Sequence, residues 1–204
     1  MLGLPVEPSR SIVLSTDIDQ VIAQQVIAQI MDINQIDSER IDALKGYQPE
    51  PIELFINSGG GSVTDGFAII GAMEASDTPI ITYGMGLVAS MALAIFVAGD
   101  YRVSARHTRY MYHSISYGMI GHITEHEDMG RECDLMQRMY NSLMFERTSF
   151  TEDKLKEIRA MKKDYFFSAK EAVKLGVVDE VLKKPEKKIM TEAEFNKMQE
   201  EQDQ

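Results

Sequence analysis

Residues 84–99 read GMGLVASMALAIFVAG, and the way this stretch is entered and left decides the fold. Glycines and small residues come first, one hydroxyl stands at Ser90, and the run then stays apolar until Asp100. Ser90 therefore falls where a glycine-rich approach gives way to a helix. The small neighbours Gly86 and Ala89 leave room for a substrate backbone, and a helix N-terminus favours developing negative charge. Read for structure alone, the same pattern is a core helix with Ser90 as its N-cap. The flanking chain has to choose between the two.

Upstream, Ile80-Ile81-Thr82-Tyr83 reads as a strand, and a helix from about Val63 to Ala75 precedes it, capped by Ser62 with Asp65 at the third position. That helix opens from the turn Asn57-Ser58-Gly59-Gly60-Gly61-Ser62, which follows a strand at Ile52–Ile56. Strand, glycine turn and helix thus occur twice in succession. This order predicts βαβ crossovers and a largely parallel sheet, an α/β fold. Further back, residues 35–51 are polar, end in Pro49 and Pro51, and read as a connecting loop. Ile18, Val21, Ile22, Val26, Ile30 and Ile33 recur at helical spacing with Asp17 or Asp19 as the cap, and Ser11–Leu14 reads as a strand. Residues 1–10, with Pro5 and Pro8, form a lead-in.

Downstream, Tyr101–Ser104 and Thr108–Tyr112 read as short strands, the second ending at His113. A glycine-broken piece over 114–124 leads to a long helix over 125–149, with Met129, Cys133, Met136, Met139, Tyr140, Leu143 and Met144 along one side. A second helix fits Thr151–Met161. Asp164 stands before Tyr165-Phe166-Phe167, Ser168 and Glu171 form a capping box, and the helix they open stops at Gly176. Val177–Leu182 reads as the closing strand. From Lys183 to Gln204 the chain turns polar and charged, a tail with one helical stretch from Thr191.

At 204 residues with 21 basic and 32 acidic side chains, the net charge is −11, and no basic stripe suggests nucleic-acid binding. A lone cysteine, Cys133, rules out an internal disulfide and suits a reducing, cytoplasmic setting. The N-terminal residues lack a signal-peptide pattern, and the Ser90 run is too short for a membrane span, so no membrane partner is expected. The three-glycine turn has neither Gly-Lys-Ser/Thr nor GxGxxG, so no nucleotide cofactor is expected. Its backbone N–H groups suit an oxyanion or an extended peptide instead.

Hydrolysis by a serine needs a nucleophile, a base and a group that orients the base. Ser90, His113 and Asp164 supply these types, and spacing alone leaves the assignment open. Four stretches then carry a resemblance: INSGGGSVTDG at 56–66, GMGLVASM at 84–91, YMYHS at 110–114 and KDYFFSAKEAVKLGVVDEVL at 163–182. Over roughly residues 10–182 the chain resembles the ClpP family, the proteolytic subunits of ATP-dependent proteases. The resemblance implies a crotonase-like α/β fold with a helical handle over about 121–159, and a peptidase domain spanning 11–182. It also implies a serine endopeptidase with Ser90 as nucleophile, His113 as base and Asp164 as orienting carboxylate. The backbone N–H groups of Gly61 and Met91 would form the oxyanion hole.

By the same resemblance the chain forms a homo-oligomer of stacked heptameric rings, a tetradecamer, with the methionine-rich helix face between rings. An AAA+ ATPase of Clp type would be the partner and the consumer of ATP, so this chain needs no cofactor of its own. The chain also departs from the family at several points. Gly59 stands where the family has proline, and Ser114-Ile115 stand where it has Gln-Pro after the histidine. Only about ten residues precede the first strand, where the family carries its axial pore segment, which puts ATPase docking in question but not peptide hydrolysis.

Other readings are weaker. His122-Ile123-Thr124-Glu125-His126 matches the HxxEH zinc pattern, yet it straddles a helix start and reads as a polar edge, so no metal is expected. A Ser–Lys dyad lacks its lysine, since none occurs between Lys45 and Lys154. An acyl-CoA enzyme of the same fold would leave Ser90, His113 and Asp164 without a joint purpose. The non-enzymatic alternative is a catalytically silent, structural or regulatory ring subunit.

Overall fold

The computed structural model describes residues 9–161 and 163–183. The lead-in up to residue 8 and the charged tail from residue 184, with its expected helix, lie outside the described residues. A seven-stranded sheet runs in the order β1 (Ser11–Leu14), β2 (Ile52–Ser58), β3 (Ile80–Ala89), β4 (Tyr101–Ser104), β7 (Glu180–Val181), all parallel. β5 (Arg109–Tyr112) pairs in parallel with the second half of β3, and β6 (Tyr165–Ser168) pairs antiparallel with β5. The α/β expectation and its parallel sheet are therefore met.

Parallel strands need apolar cover, and the helices supply it. On α1 (Gln20–Ala43), Ala23, Val26, Ile30 and Ile33 turn one stripe inward, while on α2 (Val63–Glu74) Ile69, Ile70 and Met73 do the same. α3 (Met91–Ala98) is buried along its whole length, which is why its sequence shows no polar face. The caps follow the local rules: Asp19 accepts from the N–H of Ile22, and Ser62 from that of Asp65. The Ser168–Glu171 capping box opens α6 (Ala169–Lys174), and Gly176, at φ +64°, follows its end.

Several boundaries differ from the sequence reading. Residues 35–43 are not loop but the last turns of α1. The reason is a buried carboxylate: Asp37 receives Arg10, Thr78 and Tyr47, so a polar turn of helix has an interior to face. β3 runs on to Ala89, because Leu87, Val88 and Ala89 find partners in Arg109, Tyr110 and Met111. The closing strand shrinks to Glu180–Val181, with Val177 and Val178 buried but outside the ladder. The apolar residues of α4 (Ile123–Arg147) do not share one side: Tyr140, Leu143 and Met144 are buried, whereas Met129 and Met139 are exposed. α5 (Glu152–Met161) completes a helical pair over 123–161.

Candidate active site

β3 delivers the serine. Between Ile56↔Gly84 and Ser58↔Val88 the β2–β3 register shifts, so β3 carries a bulge around Gly86. Gly86 is at φ +60°, and a Cβ there would lie 2.5 Å from Asn57 Oδ1, which accepts the N–H of Leu87 at 3.0 Å. Asn57 thus holds the bulge, and only glycine fits it. After the bulge the chain follows β5 and ends at Ser90, whose N–H donates to the carbonyl of Met111 at 2.9 Å.

Ser90 has φ 55° and ψ −128°, and among the described residues it is the only non-glycine at positive φ. Such a backbone costs about 1–3 kcal/mol and persists only where its surroundings hold it. It occupies the N-cap position of α3 without capping: its side chain makes no hydrogen bond to the helix. The structural reading of Ser90 as a cap is thereby overturned. Its Oγ lies 2.7 Å from His113 Nε2 instead.

The sheet also sets the other two residues. β5 and β6 pair Tyr112 with Tyr165, so the next residue on one strand, His113, faces the preceding residue on the other, Asp164. His113 Nδ1 and Asp164 Oδ1 stand 3.6 Å apart, an ion-pair distance beyond an ordinary hydrogen bond. The Asp164 side chain is 54% exposed and that of His113 28%. The three residues singled out in the sequence are brought together, with the serine–histidine contact closed and the carboxylate contact loose.

The glycine turn forms the facing wall. Ile18 bonds to the carbonyl of Gly60 and the N–H of Ser62, both at 2.8 Å, which leaves the N–H of Gly61 between them out of the pairing. Met91 opens α3, so its N–H has no intrahelical acceptor. Gly61, Met91, Ser90, His113, Ile115 and Tyr140 border a cleft of about 80 Å³. Larger grooves, of about 300 and 200 Å³, continue from Ser114 beneath α4 and α5. At Gly60, φ +102°, a Cβ would stand 2.6 Å from the Cβ of Ser90 and 2.9 Å from the carbonyl oxygen of Ala89. Gly60→Ala is expected to push Ser90 off its position and open its contact with His113; if these two residues carry hydrolysis, turnover falls by about 10²-fold, with circular dichroism as a check on folding.

Two contacts were not foreseen. Tyr140 donates its hydroxyl to the carbonyl of Ser90 at 2.9 Å, and Gln137 accepts the N–H of Ile115 at 2.7 Å. In the sequence Tyr140 is one more member of an apolar periodicity, and nothing there announces a hydrogen bond. The HxxEH stretch lies at the start of α4, where Glu125 accepts the N–H of His122 at 2.7 Å. Among the described residues no group of three or more His, Cys, Asp or Glu is arranged to hold a metal. No helix among them is long and apolar enough to cross a membrane.

A mainly parallel α/β sheet that sets a hydroxyl, on a strained backbone, against an imidazole has the parts of a hydrolase. The family model for Clp protease matches residues 6–185, and the chain belongs to that family of peptidases. It is similar to the ATP-dependent Clp protease proteolytic subunit 2 of Treponema pallidum (strain Nichols), at 29% identity over 178 residues, 86% of this chain and 83% of the relative.

Proposed function

We propose that the chain is a serine endopeptidase in which Ser90 attacks the scissile carbonyl, His113 takes its proton and Asp164 orients the imidazole. The observation that carries this reading is the 2.7 Å contact between Ser90 Oγ and His113 Nε2 on a backbone held at positive φ. In the first half-reaction Oγ bonds to the peptide carbon as its proton passes to Nε2. The carbonyl oxygen, now negative, meets the N–H groups of Gly61 and Met91, and the imidazolium then protonates the departing amine. Water, activated by the same imidazole, hydrolyses the acyl-serine and restores the free hydroxyl.

A half-exposed carboxylate at 3.6 Å stabilises the imidazolium less than a buried, hydrogen-bonded one. Asp164→Ala is accordingly expected to lower turnover by less than the about 10⁴-fold lost where the triad carboxylate is buried, and well short of the loss on removing the serine, measured on the same fluorogenic peptide. The substrate class is an extended or unfolded chain, which the open grooves beneath α4 and α5 suit.

Assembly into stacked rings with an ATPase is part of the same proposal. The relative's name, a proteolytic subunit of an ATP-dependent protease, supports it, as do the exposed Met129, Leu135 and Met139 along α4. The deciding experiment is fluorophosphonate labelling read by peptide mass spectrometry. The adduct is expected on Ser90 and absent from Ser90→Ala and His113→Ala. An assembled protein that takes no label would turn the assignment toward a silent ring subunit.

A further inference from the structure

The peptide plane between Ser90 and Met91 has two faces to satisfy. Its carbonyl belongs to Ser90 and its N–H to Met91, and in a trans peptide the two point in opposite directions. Whatever fixes the carbonyl therefore aims the N–H. The carbonyl of Ser90 accepts two hydrogen bonds: the N–H of Leu93 at 3.0 Å, from within α3, and the hydroxyl of Tyr140 at 2.9 Å, from α4. Tyr140 is itself immobilised, 2% exposed with its ring 5.3 Å from that of Tyr112. Burial also raises its phenol pKa well above the ordinary value, so its proton stays in place as a donor.

We infer that Tyr140 is a positioning residue for the oxyanion site: by holding the carbonyl of Ser90 it turns the N–H of Met91 into the cleft. The inference rests on the peptidase reading above. Ser90 sits at a strained φ with a bulge behind it, so the plane that follows needs support from outside its own strand. The bond from Leu93 alone comes from the helix that the plane opens and moves with it. Tyr140 anchors the plane to a different element. A donor that meets charge only in the transition state acts on turnover and not on substrate binding.

Tyr140→Phe keeps the ring and leaves the Ser90 carbonyl bonded to Leu93, so the variant should fold. Its kcat on a fluorogenic peptide is expected to fall about fivefold, with KM within about twofold of the parent. The inhibition constant of a peptide boronate, whose tetrahedral adduct places an oxygen at the same donors, is expected to weaken by the same factor. Tyr110→Phe, a buried phenol whose hydroxyl sits against Gly84, serves as the control and should leave both readouts unchanged. Tyr140→Phe with parental kcat and boronate affinity, whatever its melting temperature, would overturn the inference. So would a rise in KM at constant kcat, which would make Tyr140 part of the binding wall only. If the parent protein takes no fluorophosphonate on Ser90, the peptidase reading fails first and this inference falls with it, an outcome distinct from a labelled parent with an indifferent Tyr140→Phe.

Discussion

Ser90→Ala is expected to reduce peptide hydrolysis by at least about 10⁴-fold, with His113→Ala close behind it. The substitution removes one oxygen from a small cleft and one hydrogen bond to His113, with no change in core volume, so folding should be intact. The loss therefore reads chemistry. In the proposed mechanism nucleophile and base act as a unit, so Ser90→Ala combined with His113→Ala should be no slower than Ser90→Ala alone. Turnover of a fluorogenic peptide, followed far enough to detect the residual rate, checks both statements. A Ser90→Ala protein that keeps more than a hundredth of its activity would place the nucleophile elsewhere.

The second large effect is on stability and lies away from the cleft. Asp37 is 2% exposed and receives the two terminal guanidinium nitrogens of Arg10, at 3.0 and 2.6 Å, with Thr78 at 2.7 Å and Tyr47 at 2.9 Å. One carboxylate thus joins the start of β1, the end of α1, the loop before β2 and the turn before β3. Asp37→Ala leaves the Thr78 and Tyr47 hydroxyls without their acceptor and Arg10, a largely buried cation, with only the carbonyl of Glu50, which costs about 3–5 kcal/mol. Against a total of about 5–15 kcal/mol this is a large share, and a fall in melting temperature of about 6–20 °C is expected.

The same group fixes a pH dependence. Burial raises the Asp37 pKa, but hydrogen bonds from Arg10, Thr78 and Tyr47 outweigh it, and the folded-state value lies below the ordinary one of 3.8. A depressed carboxylate contributes its stability in full above the unfolded value and loses it as pH falls through the folded one. Denaturant titrations of the parent and Asp37→Ala should therefore lie well apart at neutral pH and draw closer as pH falls below about 4. Parallel curves down to acid would show that the carboxylate is not what holds these segments.

Asp37 also marks a limit of the sequence. Residues 35–43 lack apolar periodicity, and what keeps them helical is a partner 27 positions away, Arg10, invisible to any local pattern. Features written within a few residues came through: the cap at Asp19, the Ser168–Glu171 box and the strand–turn–helix order behind the parallel sheet. Ser90, His113 and Asp164 were legible as residue types within motifs, and the sheet does bring them together. The strained φ of Ser90, the grip of Asn57 on the β3 bulge and the bond from Tyr140 were not, because each depends on contacts between elements far apart in the chain.

The four-pair ladder between β5 and β6 has a consequence for what the chain tolerates between them. It clasps the two ends of a segment about fifty residues long, so His113 and Asp164 meet by strand register whatever is threaded from one to the other. In polymer terms the segment is a closed loop, and doubling its length would add only about 0.6 kcal/mol of closure entropy. The helices between these strands can therefore be lengthened, shortened or recarved for new neighbours while His113 and Asp164 stay paired. A slip of one residue in the ladder, by contrast, would turn every side chain on β6 to the opposite face and part them at once.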